Sequence, residues 1–378
     1  MKKLSRLIGV ASAAALVVVA ATSSAIAAPA GASDCLSKSI GVAAPLTGPA
    51  GFLGQEQLSW SKYAVVAYNN QFGTSFKLVE GDTQLSASLA RTVARQFVSN
   101  KNIMGVVGPS TSQAVISGGD LFEKVGLAAA SGSATRVDLT NGQFKTFFRI
   151  VPNDAVQAPK VADFVSGVLK AKHVVVIDSQ DDYSLALADR IQPRLEGQGI
   201  TVDRESVAAT DTDFSSLVSG VADDVGAVVF ATQVGAAAHT LSQQLLEQGK
   251  KAVVIGTDGA YSPTQYKPKL GYVSVFDRDL NFEPSGKALV AGYKAYSKNK
   301  AFGAFGPPSY MAAWVLMTAM TKACEDGKIT RPEVTTLVKQ TNIPSSLGRT
   351  IRFNRSGEQV NAKFYIYKIT NGKYSFVS

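Results

Sequence analysis

Residues 104–135 constrain the fold of this chain more than any other stretch. They contain two apolar runs, residues 104–107 and 126–130, and each run has the length of a buried strand. Residues 113–124 lie between the runs and can form about three helical turns. A strand–helix–strand unit of this kind predicts a parallel sheet with a right-handed crossover.

Small hydroxyl side chains follow both apolar runs, at residues 110–112 and again at Ser131, Ser133 and Thr135. Because ligands of open parallel sheets bind outside the carboxyl ends of strands, both groups are predicted at one rim. One group begins a helix, whose free N–H groups and positive dipole end suit an anion such as a carboxylate. Helix capping and turn formation explain any single hydroxyl equally well, so the prediction depends on the two groups together.

Strand and helix patterns alternate in two successive series, residues 39–151 and 154–276. Each series is long enough for its own doubly wound lobe, and 378 residues exceed what one hydrophobic core usually supports. The tail differs, because three helical segments are followed there by two strands. We therefore predict an α/β protein with two Rossmann-like lobes.

The first 27 residues have the pattern of a secretory signal peptide. Lys2, Lys3 and Arg6 precede an apolar run at residues 7–21, and residues 25–27 form a small-residue cleavage pattern. A transmembrane anchor needs about 20 apolar residues, and this run is shorter. We expect an exported protein, located in the periplasm or on the outer face of the cell membrane.

The chain lacks the sequence signatures of several enzyme and metal sites. It contains no G-x-S-x-G elbow, no Walker-type phosphate loop, no dinucleotide fingerprint and no H-E-x-x-H motif. Its two histidines and two cysteines do not have metal-ligand spacing. The net charge of +9 is spread along the chain, which argues against a nucleic-acid partner. We expect reversible binding of a small polar molecule, without a cofactor, a metal or catalytic residues.

Several motifs occur in the order and spacing of a known family. They are APLTGP at residues 44–49, VVGP at 106–109 with Ser112, the segment 131–135, and FR at 148–149 with PND at 152–154. Residues 178–183, 210–214 and GTDG at 256–259 complete the set. With these motifs the chain resembles the leucine/isoleucine/valine-binding protein family, the type I periplasmic solute-binding proteins of ABC importers. The resemblance extends from about residue 39 to the end of the sequence.

The resemblance implies two lobes that are joined by three crossing segments and close on a ligand. It assigns residues 36–152 and 283–344 to the first lobe, and residues 153–282 and 345–378 to the second. It also implies a monomer that delivers an amino acid, with a branched-chain or other uncharged side chain, to an ABC importer permease. The alternatives are a small amide or a carboxylic acid as ligand, a ligand-sensing receptor domain of the same fold, and an exported hydrolase.

Six candidate ligand-binding residues follow from the matching motifs: Ser112, Ser133, Thr135, Tyr183, Asp258 and Leu53. The resemblance implies that the three hydroxyls hold the ligand carboxylate and part of its amino group. Asp258 would face the ammonium, and Tyr183 would reach the ligand from the second lobe. Asp258 also has a simpler interpretation, as a turn residue or as the cap of a helix at residues 262–270.

The chain departs from the family pattern at two positions in the pocket wall. Leu53 stands where the family often has an aromatic side chain, and Gln233 and Val234 stand where many relatives carry a tyrosine. We expect Leu53 and Val234 to form an apolar wall that favours an aliphatic or other uncharged ligand side chain. The family topology also places Cys35 and Cys324 on the first lobe, so we predict a disulfide between them.

Overall fold

The computed structural model describes residues 35–280 and 283–378. The predicted signal peptide, residues 1–27, lies outside the described residues. Two separate sheets, each covered by helices, contain most of the strands. We call the five-stranded sheet with its helices the first lobe, and the seven-stranded sheet with its helices the second lobe.

The first lobe has a parallel sheet with the strand order β2-β1-β3-β4-β5. Strands β1, β3 and β4 are fully buried, as expected where helices cover both faces of a parallel sheet, whereas the edge strand β2 is partly exposed. Helices α2 and α3 cover one face of this sheet, and α1 covers the other. The elements are β1 (Ser39–Ala44), α1 (Gly51–Phe72), β2 (Lys77–Asp82), α2 (Ala87–Ser99), β3 (Ile103–Val107), α3 (Ser112–Lys124), β4 (Ala128–Ser131) and β5 (Phe147–Arg149).

The second lobe has a mixed sheet with the strand order β14-β13-β10-β9-β8-β6-β7. Strands β6 to β10 are parallel, and β13 and β14 extend the sheet in antiparallel pairing. The elements are α4 (Asp154–Phe164), β6 (His173–Asp178), α5 (Asp182–Glu196), β7 (Thr201–Ser206), α6 (Ser215–Gly220), β8 (Ala227–Ala231), α7 (Gly235–Glu247), β9 (Val253–Gly256), β10 (Leu270–Phe276), β13 (Phe364–Thr370) and β14 (Lys373–Phe376).

The tail helices return to the first lobe, where α9 packs beside α1 and against β3 and β4 of the sheet. These helices are α8 (Lys287–Ser297), α9 (Gly306–Ala323) and α10 (Arg331–Lys339), followed by the hairpin β11 (Asn342–Pro344) and β12 (Thr350–Arg352). The chain therefore passes between the sheets after β5, after β10 and between β12 and β13. This agrees with the predicted fold of two doubly wound lobes with three crossing segments.

Three local features differ from the sequence-based prediction. Leu347, Ile351 and Phe353 pack in the hydrophobic core of the first lobe, although we assigned residues 345–378 to the second. The second strand–helix series predicts a helix over residues 212–223, but only α6 forms there, since Val221 is extended and follows Gly220. No helix forms at residues 262–270, where Pro263 and Pro268 leave only a turn.

The predicted disulfide between Cys35 and Cys324 is confirmed. It joins the chain before β1 to the residue that follows α9. The two cysteines are separated by 289 residues, so the bond closes a very long loop in the unfolded chain. A covalent link of this length reduces the conformational entropy of the unfolded state.

Reduction of this disulfide should lower the free energy of unfolding by about 2–5 kcal/mol. Urea denaturation with and without a reducing agent measures the change. The double variant Cys35→Ser/Cys324→Ser is the control and should unfold at the same urea concentration under both conditions. Equal midpoints for the oxidised and reduced wild type would contradict the prediction.

Candidate functional site

A small cavity lies between the two lobes, at the carboxyl ends of β3 and β4. In this structure the side chains of the two lobes nearly fill the cavity, and a volume of only about 10 Å³ remains. Pockets for drug-sized ligands enclose roughly 300–1,000 Å³, so a ligand can enter this cavity only if the lobes or the lining side chains move. Its lining consists of Leu53, Ser110, Thr111, Ser112, Ser133, Ala134, Tyr183, Gln233, Asp258, Gly259 and Phe305.

Five of the six candidate residues therefore line one cavity, and Thr135 is the exception. Its side chain is fully buried behind the cavity, and its carbonyl oxygen accepts a hydrogen bond from the Asp154 N–H at 2.9 Å. Leu53 reaches the cavity from the first turn of α1, where it packs against the core of the second lobe.

The Ser133 hydroxyl is already engaged within the first lobe. It donates to the carbonyl oxygen of Ser110 at 2.6 Å and accepts from Nε2 of Gln57 at 2.9 Å. A serine hydroxyl has a single hydrogen to donate. Ser133 therefore stabilises the loop after β3. Its hydroxyl has no second hydrogen to donate to a ligand carboxylate.

The groups that are free to donate lie at the start of α3. Ser112 Oγ accepts a hydrogen bond from the Arg136 N–H at 3.3 Å, which leaves the serine hydrogen available. Thr111 precedes the helix, but its Oγ1 caps no N–H group and has no hydrogen-bond partner. The first N–H groups of a helix have no partner within the helix, and its N-terminal end attracts anions. The Ser112 hydroxyl and these N–H groups together form a site for a carboxylate.

Asp258 supplies the opposite charge from the second lobe. It follows β9 as the first residue of a short 3-10 turn, Asp258–Ala260, and is almost fully buried. The hydroxyl of Tyr183 donates to Asp258 Oδ1 at 2.6 Å and lies 2.7 Å from Oγ1 of Thr257. The interpretation of Asp258 as a cap of a helix at residues 262–270 is therefore wrong.

Asp154, the last residue of the PND motif, is a second buried carboxyl group. Asn153 caps α4, and Asp154 is fully buried with no hydrogen-bond partner of ordinary geometry at its carboxyl oxygens. Burial, and then the charge of Asp258, raise the pKa of Asp154 to about 8. Burial raises the pKa of Asp258 to about 6, against the effect of the Tyr183 hydrogen bond. Near neutral pH, Asp154 is therefore protonated and Asp258 carries the negative charge.

The pocket wall after β8 differs from the prediction at Gln233 and Val234. Val234 packs in the hydrophobic core of the second lobe, and Gln233 lines the cavity instead. Of the two residues expected to form an apolar wall, Leu53 lines the cavity and Val234 does not. Phe305, in the loop before α9, joins Leu53 as an apolar contact, and no sequence motif had identified it.

Arg149 fixes the loop that carries Ser133 and Thr135. Its guanidinium is fully buried, and Nη1 donates to the carbonyl oxygens of Ala134 at 3.0 Å and Arg136 at 2.7 Å. Its Nε donates to Glu358 Oε2 at 3.1 Å. Glu358 lies between β12 and β13, so one ion pair joins the binding loop to a segment that crosses between the lobes.

A sequence profile of the periplasmic binding protein family matches residues 38–373. The chain belongs to the periplasmic binding protein family. It is 29% identical over 355 residues to Leu/Ile/Val-binding protein homolog 3 of Brucella melitensis, covering 88% of this chain and 92% of that protein. It is 25% identical over 337 residues to the leucine-, isoleucine-, valine-, threonine- and alanine-binding protein of Pseudomonas aeruginosa, covering 87% and 89%.

Among solved structures, the leucine-binding protein LivK of Thermotoga maritima superposes with a TM-score of 0.81. The match covers 90% of this chain and 98% of LivK, at 22% sequence identity. The two proteins therefore share the whole two-lobed fold. Within residues 35–280 and 283–378, no helix has the length and hydrophobicity needed to cross a membrane. The same residues contain no group of three or more acidic, histidine or cysteine side chains that could hold a metal ion.

Replacing Arg149 with methionine should lower the free energy of unfolding by about 3–5 kcal/mol, because Glu358 then becomes a buried charge without a partner. Chemical denaturation of the variant and the wild type measures this loss. Arg352→Met is the control, since Arg352 is exposed and should change stability by about 0.5 kcal/mol or less. The double variant Arg149→Met/Glu358→Gln should recover part of the loss, and no recovery would contradict the ion-pair explanation.

Proposed function

We propose that this protein captures an amino acid with an uncharged side chain between its lobes and delivers it to the permease of an ABC importer. In this proposal the protein is exported, acts as a monomer and leaves its ligand chemically unchanged. The main support is the placement of an anion site and a buried carboxylate on opposite sides of one small cavity. Family membership and the amino acids named in the relatives agree with this assignment.

The two charged ends of an α-amino acid complement the two sides of the cavity. The ligand carboxylate binds Ser112 and the N-terminus of α3 in the first lobe. The ligand ammonium binds Asp258, which needs a positive partner because an unpaired buried carboxylate is unfavourable. A simple carboxylic acid would leave Asp258 without that partner, so the proposal favours an amino acid over the carboxylic acid alternative.

Ligand binding stabilises the closed arrangement of the lobes. In the structure, Nη1 of Arg136 in the first lobe donates to the carbonyl oxygen of Asp182 in the second lobe at 3.1 Å. An amino acid that contacts both lobes adds interactions that only the closed state can make. Closure then follows from the higher affinity of the ligand for that state.

The lining of the cavity argues against the hydrolase alternative. It contains serine and threonine hydroxyls but no histidine, lysine or cysteine. The Ser133 hydroxyl donates to a backbone carbonyl oxygen and not to a general base. A hydroxyl nucleophile requires an adjacent base, so this cavity suits binding and release.

Asp258→Asn should weaken amino-acid binding by about 2–5 kcal/mol, because it removes one partner of a buried charge pair. Isothermal titration calorimetry with ligand-free protein and a panel of amino acids measures the affinity. Asp223→Asn is the control, since the Asp223 side chain is 99% exposed on the same lobe. If the wild type binds the deaminated acid as tightly as the amino acid, Asp258 does not hold an ammonium and the carboxylic acid alternative is favoured.

Amino-acid affinity should fall as the pH is lowered below about 6. The pKa of Asp258 is raised to about 6 in the ligand-free protein, and only the ionised form attracts the ammonium. Well below that pH, each further unit should reduce the binding constant about tenfold, because one proton is released on binding. Asp154, with its pKa raised to about 8, stays protonated throughout pH 5–7 and adds no slope there. Calorimetry across this range measures the slope, which should become shallower in Asp258→Asn. Some slope remains there for a ligand that contacts Asp181, because burial raises the pKa of Asp181 to about 6.

A further inference from the structure

The amide of Gln233 is the centre of a polar cluster at the cavity. Its Nε2 lies 3.1 Å from Oδ1 of Asp181 in the same lobe and 3.3 Å from Oε1 of Gln113 in the first lobe. Gln113 belongs to the first turn of α3, and Thr111 lines the cavity just before that helix. We call Thr111, Gln113, Asp181 and Gln233 the polar cluster.

Three atoms of the polar cluster are buried without a hydrogen-bond partner: Thr111 Oγ1, Gln113 Nε2 and Asp181 Oδ2. Thr111 is only 2% exposed and Gln113 only 4%. Unsatisfied buried polar groups are rare in native proteins and costly, so each one requires an explanation. Here three such atoms surround the amide of Gln233, which lines the cavity. A ligand that forms hydrogen bonds with these atoms would explain them.

The chemistry of the three atoms defines the group that would pair with them. The Gln113 amide nitrogen can only donate, the Thr111 hydroxyl can donate or accept, and a carboxylate oxygen of Asp181 accepts. A carboxamide offers a carbonyl oxygen to the donors and an N–H₂ group to the acceptor. An aliphatic side chain would leave all three atoms unpaired, and a carboxylate side chain would face the negative charge of Asp181.

We propose that the polar cluster selects an amino acid whose side chain ends in a carboxamide, with Gln233 as a specificity-determining residue. This inference rests on the proposed function, since it assumes that the main-chain charges of the ligand bind Asp258 and the start of α3. It narrows the expectation of an aliphatic or other uncharged side chain to an uncharged side chain that ends in a carboxamide. Leu53 and Phe305 then contact the methylene groups of the ligand.

Calorimetry with L-glutamine, L-asparagine and L-leucine on the ligand-free protein tests the inference. At least one of the two carboxamide amino acids should bind ten or more times as tightly as L-leucine. In Gln233→Leu the carboxamide ligand should lose at least tenfold in affinity while L-leucine does not. Gln243→Leu, on the exposed face of α7, is the matched control and should retain the wild-type preference.

Thr111→Val provides an independent test, because it removes the unpaired hydroxyl with little change of shape. It should weaken carboxamide binding at least threefold and leave L-leucine unchanged, and it decides the question if Gln233→Leu does not fold. Wild-type protein that binds L-leucine as tightly as both carboxamides would overturn this inference and leave the proposed function intact. Binding of deaminated acids without binding of any amino acid would instead overturn the proposed function, and the inference with it.

Discussion

The geometry of the cavity depends on the buried ion pair between Arg149 and Glu358. Arg149 donates to the carbonyl oxygens on either side of Thr135, and it ends the last strand of the first sheet. Burial alone would raise the pKa of Glu358, but the charge and hydrogen bonds of Arg149 hold it below its usual value. The carboxylate is thus ionised, and the pair holds a loop that no regular backbone pairing fixes. A buried pair of this kind need not add stability, but the loss of one partner leaves a charge unpaired.

This arrangement separates the two charges that an amino acid requires. The first lobe presents hydroxyls and helix N–H groups, and the second lobe presents Asp258. Asp154 lies close enough to Asp258 for its charge to matter, yet its own carboxyl group stays protonated near neutral pH. A second ionised carboxylate would attract cations more strongly, but like charges in one buried site cannot both ionise near neutral pH. Of this pair, only Asp258 is ionised near neutral pH, and its single negative charge matches one ammonium.

The apolar runs were sufficient to predict two α/β lobes with parallel sheets, because buried parallel strands are apolar and turn residues follow them. The three crossing segments followed from the family resemblance instead. The matching motifs also led to Ser112, Tyr183 and Asp258, which line the cavity at strand ends or helix starts. Their part in ligand binding stays a prediction. The burial of Asp154 could not be predicted, because an aspartate near the start of a helix has the same local sequence whether it is buried in the helix or exposed as its cap. The sequence could not decide between Gln233 and Val234, since neighbouring side chains beyond a strand end point in directions that the loop conformation alone determines. The strand β14 was missed because its sequence, Lys373–Phe376, is short and partly polar.

In the proposed mechanism, the residues that bind the ligand carboxylate and the residues that select the ligand side chain lie on different lobes. The groups that bind an amino acid's carboxylate belong to the first lobe, so they are available while the lobes are apart. Gln233 belongs to the second lobe and meets Gln113 of the first lobe only when the cavity closes. A ligand side chain that pairs with both residues therefore adds free energy to the closed state alone. Any amino acid could begin to bind, but only one that satisfies the polar cluster would shift the population towards closure. In this proposal only the selected ligand produces the closed arrangement of the lobes, and a permease can recognise that arrangement.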